Sequence, residues 1–157
     1  MQQTLTRVCV ALGANLGDAR TTVRQAIQAI GAMAQTQCIV ASSLYVSAPY
    51  EASGPEFINA VALYDTGLAP WDFLQALQSL EDAAGRTRPF QNAPRTLDLD
   101  LIFYGDLVMD SARLTLPHPR WQERAFVLVP LAEISPHQVT STMLAKVQDQ
   151  TITRIQD

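Results

Sequence analysis

Lysine is almost absent from this chain: a single residue, Lys146, stands against ten arginines. Cysteine is nearly as scarce, and the two present, Cys9 and Cys38, lack CxxC spacing. That excludes a disulfide framework and a structural zinc site, and both cysteines, lying in apolar β-like runs, read as buried thiols of a reducing compartment. No stretch approaches 18 uninterrupted apolar residues, and MQQTLTRVCVALG at the start has no basic segment followed by a long apolar one. A cytoplasmic chain without a membrane partner is the expectation. Positive charge is short overall. A net charge of −4 argues against nucleic acid or anionic membranes as partners. Neither GxGxxG nor GxxxxGK[ST] occurs, so any ATP site must be built without a phosphate loop.

What is present is an ordinary globular composition: 157 residues, 48% of them apolar, enough for one domain spanning 1–157 with its own core. Residues 7–13 read as a buried strand, followed by a turn and a helix beginning near Asp18, whose core face is Val23, Ala26, Ile27, Ile30, Met33 and Ala34. Residues 38–46 form a second strand. A proline-containing loop (48–55) leads to a third over 57–64. Pro70 opens a second helix on which Trp71, Leu74, Leu77, Leu80 and Glu81 occupy neighbouring faces, with Gly85 as its C-terminal cap. After an aperiodic loop over 86–95 comes a strand over 97–104, then a small ribbon over 107–115, a turn PHPR (117–120) and an apolar segment (126–134) suited to a short helix. The tail after Pro136 is weakly patterned. The order β-α-β-β-α-β predicts an α+β, ferredoxin-like antiparallel sheet with helices on one face and a short C-terminal extension. A fold of this kind implies no function.

The sharpest local signal is RTLDLD (95–100). On a strand, residues two apart share a face about 6.5–7 Å apart, so Asp98 and Asp100 aim two carboxylates at one volume while Leu97, Leu99 and Leu101 turn to the core. Paired carboxylates suit Mg²⁺, which also takes phosphate oxygens and water. A bare DxD equally suits the solvated face of an edge strand. Arginines tilt the balance: six of the eleven basic residues lie between 86 and 124, and none lies in 25–85. Guanidinium groups bind phosphate as a planar fork, which points to a small polyanion such as a nucleotide. Phe57 and Asn59 share another strand face. A ring and an amide together fit a flat heterocycle, and equally fit a core phenylalanine beside a satisfied asparagine.

Taken together, ALGANLG (11–17), SSLY (42–45), FINA (57–60), EDAAGRTR (81–88), APRTLDLDLI (93–102), RLTLPHP (113–119), Arg124 and Phe126 resemble the 6-hydroxymethyl-7,8-dihydropterin pyrophosphokinases of folate biosynthesis, over roughly residues 7–136. The resemblance implies an enzyme that transfers the β,γ-pyrophosphoryl group of ATP to the pterin hydroxymethyl oxygen and releases AMP. It implies that Asp98 and Asp100 hold two Mg²⁺ ions, with Arg86 and Arg95 the catalytic loop arginines. The pterin would be met by Ser47, Pro49, Tyr50, Phe57, Asn59 and Phe126. Glu81, Arg88, Leu101 through its backbone, Arg113, Thr115, His118 and Arg124 would be on the ATP side. The partners are then ATP and a hydroxymethyl dihydropterin, and the protein is expected to be a monomer.

Some positions depart from the family pattern. Ala48 stands for a usual proline, Phe57 for a common tyrosine, Gln91 for a charged residue, Asn92 for a loop tryptophan and Pro119 for a frequent tyrosine. Two other readings remain: a paralogue acting on a related pterin, and a non-catalytic pterin- or nucleotide-binding module. The second would be expected to have lost at least one of Asn59, Arg95, Asp98 and Asp100, and all four are present.

Overall fold

The computed structural model describes residues 4–48, 56–84 and 97–155. Strand β1 (Thr6–Ala14) is central. It pairs antiparallel with β4 (Phe57–Thr66) on one side and with β5 (Asp98–Tyr104) on the other. Beyond β4 lie β2 (Thr36–Ala41) and β3 (Tyr45–Ser47), both antiparallel to it, and β8 (Ile152–Arg154) pairs with β3. A separate ribbon joins β6 (Met109–Asp110) to β7 (Thr115–Leu116). The expectation of an α+β antiparallel sheet is met.

Helix α1 (Ala19–Gly31) starts where the sequence places it, because the Asp18 carboxylate accepts from the Thr21 N–H and so supplies the N-cap. Val23, Ala26 and Ile30 are its buried residues. Helix α2 (Pro70–Ala83) begins at the expected proline, but its buried stripe is Phe73, Leu77 and Glu81, spaced by four. Trp71, grouped in the sequence with Leu74, Leu77, Leu80 and Glu81 on neighbouring faces, is 39% exposed. The proposed cap, Gly85, lies outside the described residues.

Three further expectations need correction. The strand over 38–46 is two strands. Ser42 interrupts the ladder by giving its N–H to the Val61 carbonyl while its hydroxyl accepts from the Val61 N–H. Cys38 is exposed rather than buried, because β2 is an edge strand that, among the described residues, pairs with β4 alone; Cys9, in the central strand, is buried, and burial pushes its thiol pKa well up. Helices also cover both faces of the sheet, not one. Val8, Val10, Leu12, Ala60, Ala62 and Tyr64 face α1 and α2, whereas the alternate residues Cys9, Ala11, Val61 and Leu63 face α3 (Ala125–Ile134) and α4 (Ser141–Lys146). The tail thus has structure that its weak periodicity hid. A helix of six residues and a strand of three are too short to show a period.

A bulge between Cys9 and Val10 in the β1–β5 ladder places the site's elements. It leaves Ile102 extra on β5, and the Ile102 carbonyl accepts from the His118 N–H at 2.7 Å. The turn carrying His118 is thereby tied to the strand carrying the two aspartates.

Candidate active site

Register across three strands assembles the centre of the site. Gly13 of β1 is paired with Asn59 of β4 on one side and Asp98 of β5 on the other; in the next row on the same face, Ala11 lies between Val61 and Asp100. Strands are spaced about 4.8 Å, so the backbones of Asn59 and Asp98 are about 10 Å apart with only a glycine between them. A Cβ at Gly13 would lie 3.2 Å from Asn59 Nδ2 and 3.7 Å from the Phe57 ring. Gly13 therefore makes a floor without a side chain between the amide and Asp98, whereas Ala11, in the next row, is packed under α3. Sequence reasoning missed this role, although small residues at alternate positions of a buried strand were the available signal.

Asp98 and Asp100 are half-buried on this face, while Leu97, Leu99 and Leu101 are buried on the other, as their alternation requires. The strand is braced from its open edge. Glu81, itself 5% exposed, accepts the Leu99 N–H at 2.8 Å. Glu81 was assigned to ATP by resemblance; the structure gives it a bracing bond to β5. By strand alternation the Leu101 N–H and C=O lie on the same side of β5 as those of Leu99.

At the pterin-assigned end, Ser47 is buried on β3 and donates its hydroxyl to Asn59 Oδ1. With Oδ1 engaged, Asn59 Nδ2 extends towards Gly13 and the floor. Phe57, two residues away on β4, and Phe126, in the first turn of α3, are both half-buried. Pro49 and Tyr50, assigned to the same pocket, lie outside the described residues.

Helix α3 is held to β3 by a cluster that the sequence did not reveal. The Glu133 carboxylate accepts from the Ser43 N–H at 3.0 and 3.1 Å, from the Ser43 hydroxyl at 3.0 Å and from the Tyr45 hydroxyl at 2.7 Å. Burial opposes the Glu133 charge, but these bonds and nearby Arg154 outweigh it and hold the carboxyl below its ordinary range. Burial, reinforced by Glu133, raises the Tyr45 hydroxyl to about 12. The strand that carries Ser47 and the helix that carries Phe126 are thus joined through one carboxylate. Partners 88 and 90 residues apart leave no local pattern to read.

The ATP-assigned residues gather around the aspartates in part. An Arg124 guanidinium nitrogen lies 3.6 Å from an Asp100 oxygen, and the same group sits 5.4 Å above the Phe126 ring centre. His118 Nδ1 accepts the Arg120 N–H at 3.1 Å, which leaves Nε2 as the protonated nitrogen of a neutral ring. Neutrality is enforced: burial, then Arg124 and Arg120, lower its pKa to about 4 against the opposing pull of Asp98. His118 is therefore a hydrogen-bond donor at neutral pH, not a cation. Arg113 stands apart, its guanidinium 5.2 Å over the Trp71 ring at the start of α2. Thr115 is half-buried on β7, opposite Asp110. Arg86, Arg88 and Arg95 lie outside the described residues, as do Gln91 and Asn92.

Among the described residues no cluster of three or more His, Cys, Asp or Glu side chains could hold a metal. Two carboxylates two residues apart on one strand face do fit a hard divalent cation, provided that phosphate and water supply its other oxygens. No described helix is long and apolar enough to cross a membrane.

Comparison with known proteins shows the family. Residues 9–136 match the family model for 7,8-dihydro-6-hydroxymethylpterin-pyrophosphokinase. The 2-amino-4-hydroxy-6-hydroxymethyldihydropteridine pyrophosphokinase of Pseudomonas aeruginosa is 46% identical over 131 residues, covering 83% of this chain and 81% of that protein. Its namesake from Bacillus subtilis is 39% identical over 127 residues, covering 80% and 75%. Among solved structures, the wild-type HPPK-DHPS of Plasmodium falciparum with pterin and p-hydroxybenzoate superposes with a TM-score of 0.69 at 12% identity. That match covers 94% of this chain but only 43% of the larger one, and it concerns the fold alone. The chain belongs to the 7,8-dihydro-6-hydroxymethylpterin-pyrophosphokinase family.

Proposed function

We propose that this protein transfers the pyrophosphoryl group of ATP to the hydroxymethyl oxygen of 6-hydroxymethyl-7,8-dihydropterin, a step of folate biosynthesis, and releases AMP. The observation that carries the reading is the row Asp98–Gly13–Asn59, in which a carboxylate suited to a metal and an amide suited to a heterocycle stand on either side of a glycine. We read residues 1–157 as one such domain, cytoplasmic and monomeric. Its order β5–β1–β4, with β2 and β3 beyond, supports a ferredoxin-like description.

In the reaction the hydroxymethyl oxygen forms a bond to the β-phosphorus and gives up its proton, and the bond from that phosphorus to the oxygen bridging it to the α-phosphorus breaks, leaving AMP. Asp98 and Asp100 would hold Mg²⁺, two ions by family resemblance, and the metal supplies charge neutralisation of the polyphosphate. Asn59, oriented by Ser47, presents its amide to the pterin edge, with Phe57 and Phe126 against the ring faces. Neutral His118 offers Nε2–H and Arg124 its guanidinium to phosphate oxygens. Arg86, Arg88 and Arg95 would bring further positive charge from the loop, Arg113 and Thr115 would meet the nucleotide, and Pro49 and Tyr50 would complete the pterin pocket. Protein groups do little covalent work here. The rate comes from aligning the hydroxyl with the β-phosphorus and from stabilising developing charge.

The test is to incubate the protein with ATP, Mg²⁺ and the pterin and to identify the products. AMP with a pterin pyrophosphate supports the proposal. ADP, or ATP returned intact, would overturn it.

A further inference from the structure

The contact between Arg124 and Asp100 is poorly made for a permanent ion pair. Its 3.6 Å separation is too long for a good charge-assisted hydrogen bond. The Arg124 Nε–H is buried and has no acceptor among the described residues. Buried donors are normally satisfied, so this guanidinium is held in place with one of its donors still unmatched. It is also well enclosed: its side chain is 17% exposed, against 31% for Asp100, and the Phe126 ring lies beneath its plane. An acceptor with several oxygens, such as a polyphosphate, would suit the fork better than one long carboxylate contact.

We propose that Arg124 is a displaceable counter-ion: it neutralises Asp100 while the nucleotide site is empty, and so suppresses binding of a bare divalent cation, then yields Asp100 to the metal when polyphosphate oxygens take up its guanidinium. The inference rests on Asp98 and Asp100 being the metal ligands and extends that reading to a state before nucleotide arrives. Removing a cation beside a carboxylate normally strengthens that carboxylate's hold on another cation, whereas removing a phosphate contact weakens nucleotide binding. The two effects have opposite signs. A merely structural role for Arg124 would give only losses.

Mn²⁺ binding, followed by electron paramagnetic resonance without nucleotide, tests this directly. Arg124→Gln and Arg124→Met should bind bare Mn²⁺ about tenfold more tightly than the parent protein, and a non-hydrolysable ATP analogue about tenfold more weakly, the usual scale for one charged contact at a partly buried site. Arg124→Lys, which keeps the charge, should stay within about twofold of the parent for bare Mn²⁺. Unchanged or weaker Mn²⁺ binding by the neutral variants, or equal tightening by the lysine variant, would overturn the proposal. Asp100→Asn, measured in parallel with the analogue present, separates the two ideas. Should it leave Mn²⁺ binding intact, the metal assignment itself fails. Should it abolish binding while the Arg124 variants show no gain, only the counter-ion role fails.

Discussion

The two faces of the sheet are built from the same strands and put to different uses. On the α1 and α2 face, Val8, Val10, Leu12, Ala60, Ala62 and Tyr64 make an unbroken apolar layer with Phe73, Leu77 and Ile30. On the opposite face the layer of Cys9, Ala11, Val61 and Leu63 under α3 gives way, one row further on, to Asp98, Gly13 and Asn59. Residue alternation lets a single strand serve both faces: Leu99 is core and Asp100 is site, one residue apart. Stability and chemistry are therefore separable by side-chain parity, and substitutions can test that separation.

The largest effect should come from Asp100→Asn or Asp98→Asn. On the proposed metal-ligand role, either change removes roughly 4 kcal/mol of transition-state stabilisation, so kcat should fall about a thousandfold in steady-state assays while the melting temperature barely moves. The mirror experiment is Ile30→Ala on the other face. It should cost about 3 kcal/mol in chemical denaturation, with kcat of the folded protein within about twofold of the parent. Asn59→Ala should raise the pterin KM about tenfold or more with a smaller change in kcat, separable by varying each substrate in turn. Gly13→Ala should raise the same KM only a few-fold, because the new methyl crowds Asn59 Nδ2 at 3.2 Å but meets a side chain that can give.

A smaller pH effect belongs to His118. Its pKa of about 4 lies below the unfolded value near 6.5. The unfolded chain thus binds more protons between these values, and stability should fall as pH drops from about 6.5 towards 4. Nuclear magnetic resonance titration should show the His118 ring staying neutral down to about pH 5. An inflection near 6.5 would contradict the buried neutral donor.

Local chemistry decided what could be read in advance. A helix start near Asp18, Pro70 as a second helix start and the alternation of residues 97–101 each depend on a few positions, and each is found in the structure. Long-range facts escaped. Nothing near Cys38 announces that β2 is an edge strand, and nothing near Trp71 says that Phe73, not it, meets the core. The Glu133 clamp and the sheet pairing of β8 depend on partners about 90 to 110 residues away. Asp98, Asp100 and Asn59 were legible as candidate ligands, because strand parity is local. Their common floor at Gly13 was not, because register between strands is fixed by the whole sheet.

The central claim is that the amide and the carboxylates flank one floor, so that heterocycle and metal are neighbours. Paramagnetic relaxation of the pterin hydroxymethyl carbon by Mn²⁺, in the complex with a non-hydrolysable ATP analogue, measures that separation. The strand spacing predicts a distance below about 8 Å, lost in the Asp98→Asn, Asp100→Asn double variant. A separation well beyond 10 Å, or one unaltered in that variant, would contradict the account.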